Sequence, residues 1–332
     1  MTRTAQSSGG CYRVSGLTLE SDTAFPELPS AGAVTRDSKV SVRLATRFPH
    51  LSASTRWIRQ WPLSTGEPWL HCGKVDSGYL IRFRELADFF VDDEGRKVTG
   101  TTVWGTSTDT LRHLLLDHVL PLVLNLRGRE ALHATTVVTP HGVCAFTGMA
   151  GTGKSTLAAS FALAGYPVLS DDCLVIEEQD GQLVAVPAYP GMRLWDDTCT
   201  ALAPQTDTLS PVAHYTDKQR LVWQEQVKNF PTTPLPLQRI YLLTRPTDPT
   251  SATDLFTPRL GSCPPRQAFM ALLEQTFRLD VTDSAMLVRQ LHWLERIVTQ
   301  IPVRRLQIPN DFATLPAVRD VVLADCALMA LR

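Results

Sequence analysis

The residues best equipped for chemistry form one run, Gly148-Met149-Ala150-Gly151-Thr152-Gly153-Lys154-Ser155-Thr156, which fits the pattern G-x-x-x-x-G-K-[ST] at every position. The chemistry it suits is polyphosphate binding. Glycines let a backbone wrap phosphates with its N–H groups turned inward, and a helix that begins at the end of the run aims the positive end of its dipole at the same charge. In this pattern Lys154 neutralises the outer phosphates and Ser155 holds a magnesium ion. The flanks supply the context the pattern needs: Val143-Cys144-Ala145-Phe146 reads as a strand, and the alanine-rich run from Lys154 to Ala164 reads as a helix. ATP with Mg2+ is therefore the expected ligand pair. The spacing is not G-x-G-x-x-G, which excludes a dinucleotide fold, and H-R-D and D-F-G are absent, which excludes a eukaryotic-type protein kinase.

Groups able to handle a proton lie close by in the chain. The helix is expected to stop at Gly165, followed by Pro167, and the chain then re-enters a sheet as Val168-Leu169-Ser170 and meets Asp171-Asp172. A right-handed crossover brings the end of that strand to the edge that carries the glycine run. One of the two carboxylates could hold magnesium and the other could accept a hydrogen bond from an attacking hydroxyl. Upstream, Leu132 to Val138 and Gly142 to Thr147 read as a hairpin about Thr139-Pro140-His141-Gly142. A turn centred between Pro140 and His141 carries His133 to a place opposite Gly148. A second hairpin, Leu174 to Glu177 and Leu183 to Val186 about Asp180-Gly181, would set Tyr189 opposite Asp172 by the same logic. Tyr189 and Arg193 are thus candidate substrate contacts, and Lys218 and Arg220, in the charged run Asp217-Lys218-Gln219-Arg220, are further ones.

The elements that must position these groups suggest two domains: a β-rich one over residues 1–105, and a nucleotide-binding kinase domain with a helical C-terminal part over residues 106–332. In the first, Tyr12 to Leu19, Lys39 to Leu44, Gly78 to Phe83 and Phe89 to Val91 read as strands. Trp57, Trp61 and Trp69 are read as core or edge packing. A helix is expected from Thr106 or Ser107 to about Arg127, kinked at Pro121. Proline and polar residues from Thr198 to Gln238 suggest a long connection. Ile240 to Leu243 reads as a buried strand. Helices follow at Arg266 to Phe277 and at Ser284 to Ile301, the second with Leu287, Leu291, Leu294, Ile297 and Val298 turned inward. Val303 to Ile308 is a last strand before a helix from about Pro316.

Composition narrows the class. The chain has 332 residues, 44% hydrophobic and 20% charged, with a formal net charge of −1, so binding of nucleic acid by bulk charge is not expected. Seven cysteines without a C-x-x-C pair argue against a disulfide framework or a zinc site. The first residues lack a signal peptide's apolar core, and Val119 to Leu126 is too short to span a membrane; a cytoplasmic protein without a membrane partner is the expectation.

Taken together, His133, the loop with Lys154-Ser155-Thr156 and Asp171-Asp172 resemble the catalytic core of the HPr kinase/phosphorylase family, relatives in fold of the ATP-dependent phosphoenolpyruvate carboxykinases. The resemblance covers about residues 130 to 195. It implies an α/β phosphate-loop kinase core in which Asp171 is the base toward a serine hydroxyl, Asp172 and Ser155 hold magnesium, and Lys154 and His133 contact phosphate. Thr156 stands where members acting on HPr carry an acidic residue, and their downstream glycine-rich signature is missing. The chain looks more like divergent HPr-kinase-like proteins that phosphorylate a serine of a ribosomal precursor peptide, lasso type included. The family's habit implies a homo-oligomer. A sugar or nucleoside kinase, and a nucleotide-binding regulator with slow hydrolysis, are the alternative readings.

Overall fold

The computed structural model of the chain describes residues 8–32, 36–45, 55–62, 66–103, 105–202, 209–213, 216–222, 227–246 and 257–328. Two compact units divide it. One holds residues up to Arg129 with Val212–Thr216 and Phe277–Leu287, and the other holds Glu130–Pro211, Asp217–Thr276 and the remainder from Val288.

Strands of half-buried character build the first unit: β1 (Ser8–Val14), β2 (Leu17–Thr23), β3 (Lys39–Ala45), β4 (Arg56–Pro62), β5 (Pro68–Val75), β6 (Gly78–Phe83), β7 (Ala87–Asp92) and β8 (Lys97–Thr102). Among the described residues they form one sheet in the order β1-β2-β3-β8-β7-β6-β5-β4, with β3 parallel to both its neighbours. The expected single strand over Tyr12 to Leu19 is instead a hairpin. Ser15 and Gly16 both take positive φ, 50° and 75°, as a two-residue turn of this hand requires, and Val14 pairs with Leu17. The sequence carries the sign of it, because the apolar phase moves from even positions (Tyr12, Val14) to odd ones (Leu17, Leu19). Trp57 lies on the edge strand β4 and is 38% exposed, while the Trp69 ring meets Phe83 and His118 edge-on.

The long helix is present but interrupted. Ser107 caps α1 (Thr108–Leu114) by accepting from the Thr110 N–H, a π-helical turn covers Leu115–Val119, and α2 (Leu120–Leu126) completes it. The expected kink at Pro121 is met by this widened turn just before it, where the proline ring would crowd the carbonyls of a regular helix. The helix belongs to the first unit, so the division falls after Arg129 and not before Thr106: Thr106 Oγ1 donates to Leu86 O at 2.8 Å and Arg112 Nε to Glu27 Oε1 at 3.1 Å.

The second unit is mixed α/β. Its elements are β9 (Ala131–Leu132), β10 (Ala134–Thr139), β11 (Gly142–Thr147), α3 (Lys154–Leu163), β12 (Val168–Ser170), β13 (Leu174–Gln179), β14 (Gln182–Val186), β15 (Met192–Trp195), α4 (Asp196–Leu202), β16 (Leu209–Ala213) and β17 (Thr216–Leu221) apart from their residues in Val212–Thr216, β18 (Leu235–Thr244), β19 (Arg259–Ser262) and β20 (Val303–Gln307). Helices Pro265–Glu274 and Leu315–Ala327 belong to it, as does helix Ser284–Gln300 from Val288 onward. The main sheet runs β12-β10-β11-β18-β14-β13-β9, with β20 also paired to β18. Alternation along β11 splits the core in two. Cys144 and Phe146 pack with Leu157 and Phe161 of α3 on one face, while Val143 and Ala145 pack with Leu294 and Ile297 on the other. Leu291, expected inward, is 41% exposed, and the buried stripe passes through Gln290, Leu294 and Ile297. The long connection expected from Thr198 to Gln238 contains part of α4 and both β16 and β17. No helix among the described residues is long and apolar enough to cross a membrane.

Candidate functional site

Three strands bring the proton-handling groups to one edge. The β10–β11 ladder runs from Thr139–Gly142 to Ala134–Thr147, so the turn-centred register holds and His133 stands one residue beyond it beside Gly148. Its backbone is pinned on both sides: its N–H donates to Gln275 O at 2.8 Å and its carbonyl accepts from Thr147 Oγ1 at 2.9 Å. β12 pairs antiparallel with β10, which makes it run in the same direction as β11 with β10 between them. The carboxyl ends of β11 and β12 and the amino end of β10 therefore share an edge, where Asp171 and Asp172 emerge.

The glycine-rich loop takes the backbone conformations its sequence demands. Gly148, Gly151 and Gly153 have φ of 144°, 79° and 96°. A Cβ on Gly148 would lie 2.8 Å from Leu243 O, and one on Gly153 would lie 2.9 Å from Arg245 Nη2. Lys154, buried, donates from Nζ to Gly148 O (2.8 Å) and Met149 O (3.1 Å), and burial draws its pKa down. Met149 and Ala150 sit toward solvent at the loop tip, Thr152 Oγ1 donates to Met149 O at 2.8 Å, and Thr156 Oγ1 lies 3.3 Å from Thr198 Oγ1.

The adjacent aspartates have different surroundings. Asp171 is 4% exposed and both its oxygens are engaged: Oδ1 accepts from Thr135 Oγ1 (2.8 Å) and Ser155 Oγ (2.9 Å), and Oδ2 from the Arg193 N–H (2.9 Å). Burial, and then the charge of Asp172, push its pKa up to about 7 against the pull of those three donors. It does not line the cavity. Asp172, at a left-handed φ of 64°, does. Its Oδ1 is 3.8 Å from His133 Nε2 and its Oδ2 accepts from Arg193 Nη2 at 3.4 Å. Burial lowers the pKa of His133.

The cavity over this edge measures about 360 Å³. Among the expected contacts, His133, Ala150, Gly151, Gly153, Lys154, Ser155, Thr156, Asp172, Arg193 and Lys218 line it. Lys218 lies on β17, opposite Trp195 of β15, with its Nζ 5.3 Å from the centre of that ring. Of the expected loop residues Gly148, Met149 and Thr152 do not line it, nor does Asp171, and two of the substrate candidates stay out as well. Tyr189 is buried, and the β13–β14 ladder stops at Val175–Val186, because Asp172 turns out of the extended conformation that would have faced it. Arg220, opposite Arg193 in the β15–β17 ladder, is buried as well. Residues not singled out as contacts form the rest of the wall: Leu194, Trp195, Asp197, Thr198, Arg245, the stretch from Ile308 to Phe312, and Leu315. Arg245 directly follows the buried strand that the apolar run Ile240 to Leu243 announces, and that position was the available signal. Thr135, which holds Asp171, carried none.

No family model matches the chain, and no curated protein matches it. Among solved structures it is similar to the Hpr(Ser) kinase/phosphatase from Coxiella burnetii, at 13% identity and a TM-score of 0.33, over 60% of this chain and 97% of that one.

Proposed function

We propose that the chain is a phosphotransferase that moves the γ-phosphoryl group of ATP to an alcohol, and, on the motif resemblance, that the alcohol is a serine hydroxyl of a peptide or protein. The observation that carries this reading is Asp172 and His133 beside the glycine-rich loop in one cavity, since a module that only binds nucleotide has no use for proton-handling groups there.

The loop fits a polyphosphate. Gly148 and Gly153 leave no room for a Cβ where the backbone turns, and Lys154 reaches back over the loop carbonyls, from which it can transfer its hydrogen bonds to phosphate oxygens. Ser155 also fits magnesium: it donates its proton to Asp171, which leaves its lone pairs for a cation. A magnesium ion held there would screen the phosphate charge. Asp171 then orients Ser155, and the role of base passes to Asp172, the reverse of the order that the resemblance implies. Asp172 accepts the proton of the attacking hydroxyl, Arg193 fixes its carboxylate, and the neutral imidazole of His133 offers a hydrogen bond to the transferred group.

Transfer of γ-labelled phosphate to serine peptides, sugars and nucleosides tests the reading. Asp172→Asn should lower transfer by at least about 100-fold while nucleotide affinity stays, as expected when a base is removed; Lys154→Ala should lose affinity. Undiminished transfer in both variants removes the assignment. Label that reaches only water would leave a hydrolase.

A further inference from the structure

Resting on the phosphate-loop reading above, we infer that the wall formed by Arg245, Ile308, Asn310, Phe312 and Leu315 is the nucleoside subsite, and that the base stacks on Phe312. Strand order sets the direction. Across the edge the sequence is β12, β10, β11, β18, β20, and the loop follows β11. Every proton-handling group, His133 before β10 and Asp172 after β12, lies on one side of the loop. The reacting phosphate must point there. The remainder of the donor therefore runs the other way, past Gly153, over the ends of β18 and β20. Arg245 and Ile308 adjoin that end of the loop: their side chains lie 2.9 and 3.3 Å from where a Gly153 Cβ would be.

This wall is built to hold a flat apolar group. Ile308, Pro309 and Leu315 supply apolar surface with a single cation, Arg245, at the loop side. The segment is held in place by the elements around it. The Ile308 N–H donates to Thr244 O at 2.9 Å, Arg245 Nη1 donates to Pro309 O, and Asp311 caps the turn Phe312–Thr314 by accepting from the Ala313 N–H at 2.9 Å. Phe312, so fixed, is 38% exposed and makes no ring contact among the described residues. The Asn310 amide, also exposed, makes no hydrogen bond among them and offers a donor and an acceptor to a base edge. The other aromatic at the cavity is Trp195, but the Lys218 ammonium sits over its ring, and it stands by the groups that meet the acceptor. A base prefers an open aromatic face, and stacking on one is a substantial part of base binding.

Titration of the full chain with Mg–ATP and with magnesium tripolyphosphate separates the subsite from the loop. Wild type should bind ATP more tightly than tripolyphosphate. Phe312→Ala should weaken ATP about tenfold, a typical loss for one stacked base, and leave tripolyphosphate unchanged, which also shows that the variant is folded; Phe312→Trp should restore ATP affinity. Equal weakening of both ligands, no weakening of ATP, or a selective loss in Trp195→Ala instead would overturn the assignment. If wild type binds tripolyphosphate as tightly as ATP, the base subsite alone falls. Failure to bind either ligand removes the phosphate-loop reading and this one with it.

Discussion

Asp171 and Asp172 are neighbours in the chain with opposite environments, and the difference is measurable residue by residue. Asp171 meets three donors inside the protein, whereas Asp172 faces the cavity. A carboxyl whose pKa rises from 3.8 to about 7 on folding keeps its proton in the folded chain after the unfolded chain has released it. The stability it contributes is full below the unfolded value and is lost as pH rises through the folded one. Without magnesium or nucleotide, wild type should therefore lose stability relative to Asp171→Asn between about pH 4 and about pH 7, with a slope on the order of 1 kcal/mol per pH unit. Urea denaturation across that range reads it, and parallel profiles for the two proteins would refute the titration. The adjacency of the aspartates and their place after a strand were legible in the sequence; which of them faces ligand was not, because Thr135, Ser155 and the Arg193 N–H come from three separate elements.

Among elements, the glycine-rich loop and its hairpin were the most legible, since both follow local rules of spacing and turn position. Gly148→Ala should weaken nucleotide binding by roughly 5- to 100-fold: its Cβ would press on a backbone oxygen of the central strand β18 at a φ of 144°, a strain of about 1–3 kcal/mol. Gly151→Ala meets no neighbour within 4 Å and should be milder, a contrast that calorimetric titration can read. The helix Ser284–Gln300 shows where periodicity fell short. A repeating apolar pattern places a stripe on a helix only to within about one residue of rotation, so Leu291 came out exposed and Gln290 buried. Leu294→Ala should cost about 2–5 kcal/mol and Leu291→Ala less than about 0.5 kcal/mol by denaturant unfolding; similar costs for both would contradict the observed face.

For the whole molecule the division into two units matters to any stability measurement, because a single transition cannot be assumed. The proposed ligands contact only the second unit. Mg–ATP at a hundredfold excess over its Kd should stabilise that unit by about 2.7 kcal/mol, seen as an upward shift of one calorimetric transition, and Lys154→Ala should show no shift. A shift that survives in Lys154→Ala would place the nucleotide elsewhere. The division itself was only partly readable. A β-rich first part was evident from alternation, yet the helix of residues 108–126 looked as if it opened the second part, because its partner Glu27, and the partner Leu86 of Thr106 just before it, lie far back in the chain.

By itself the sequence determined the glycine-rich loop, the register that sets His133 beside it, the strand that ends in two aspartates and the helix between them. All of these follow from interactions over a few residues: a turn's centre, a cap, a repeat of two or near four. Tertiary structure decided the rest. It turned Asp172 toward the cavity and Asp171 away, put Lys218 on a strand beside Trp195, kept Tyr189 and Arg220 out of the site, and closed the far wall with Arg245 and Phe312. The physical reason is that burial and hydrogen bonding of each of those groups depend on partners supplied by other elements of the fold, and local pattern carries no record of who those partners are.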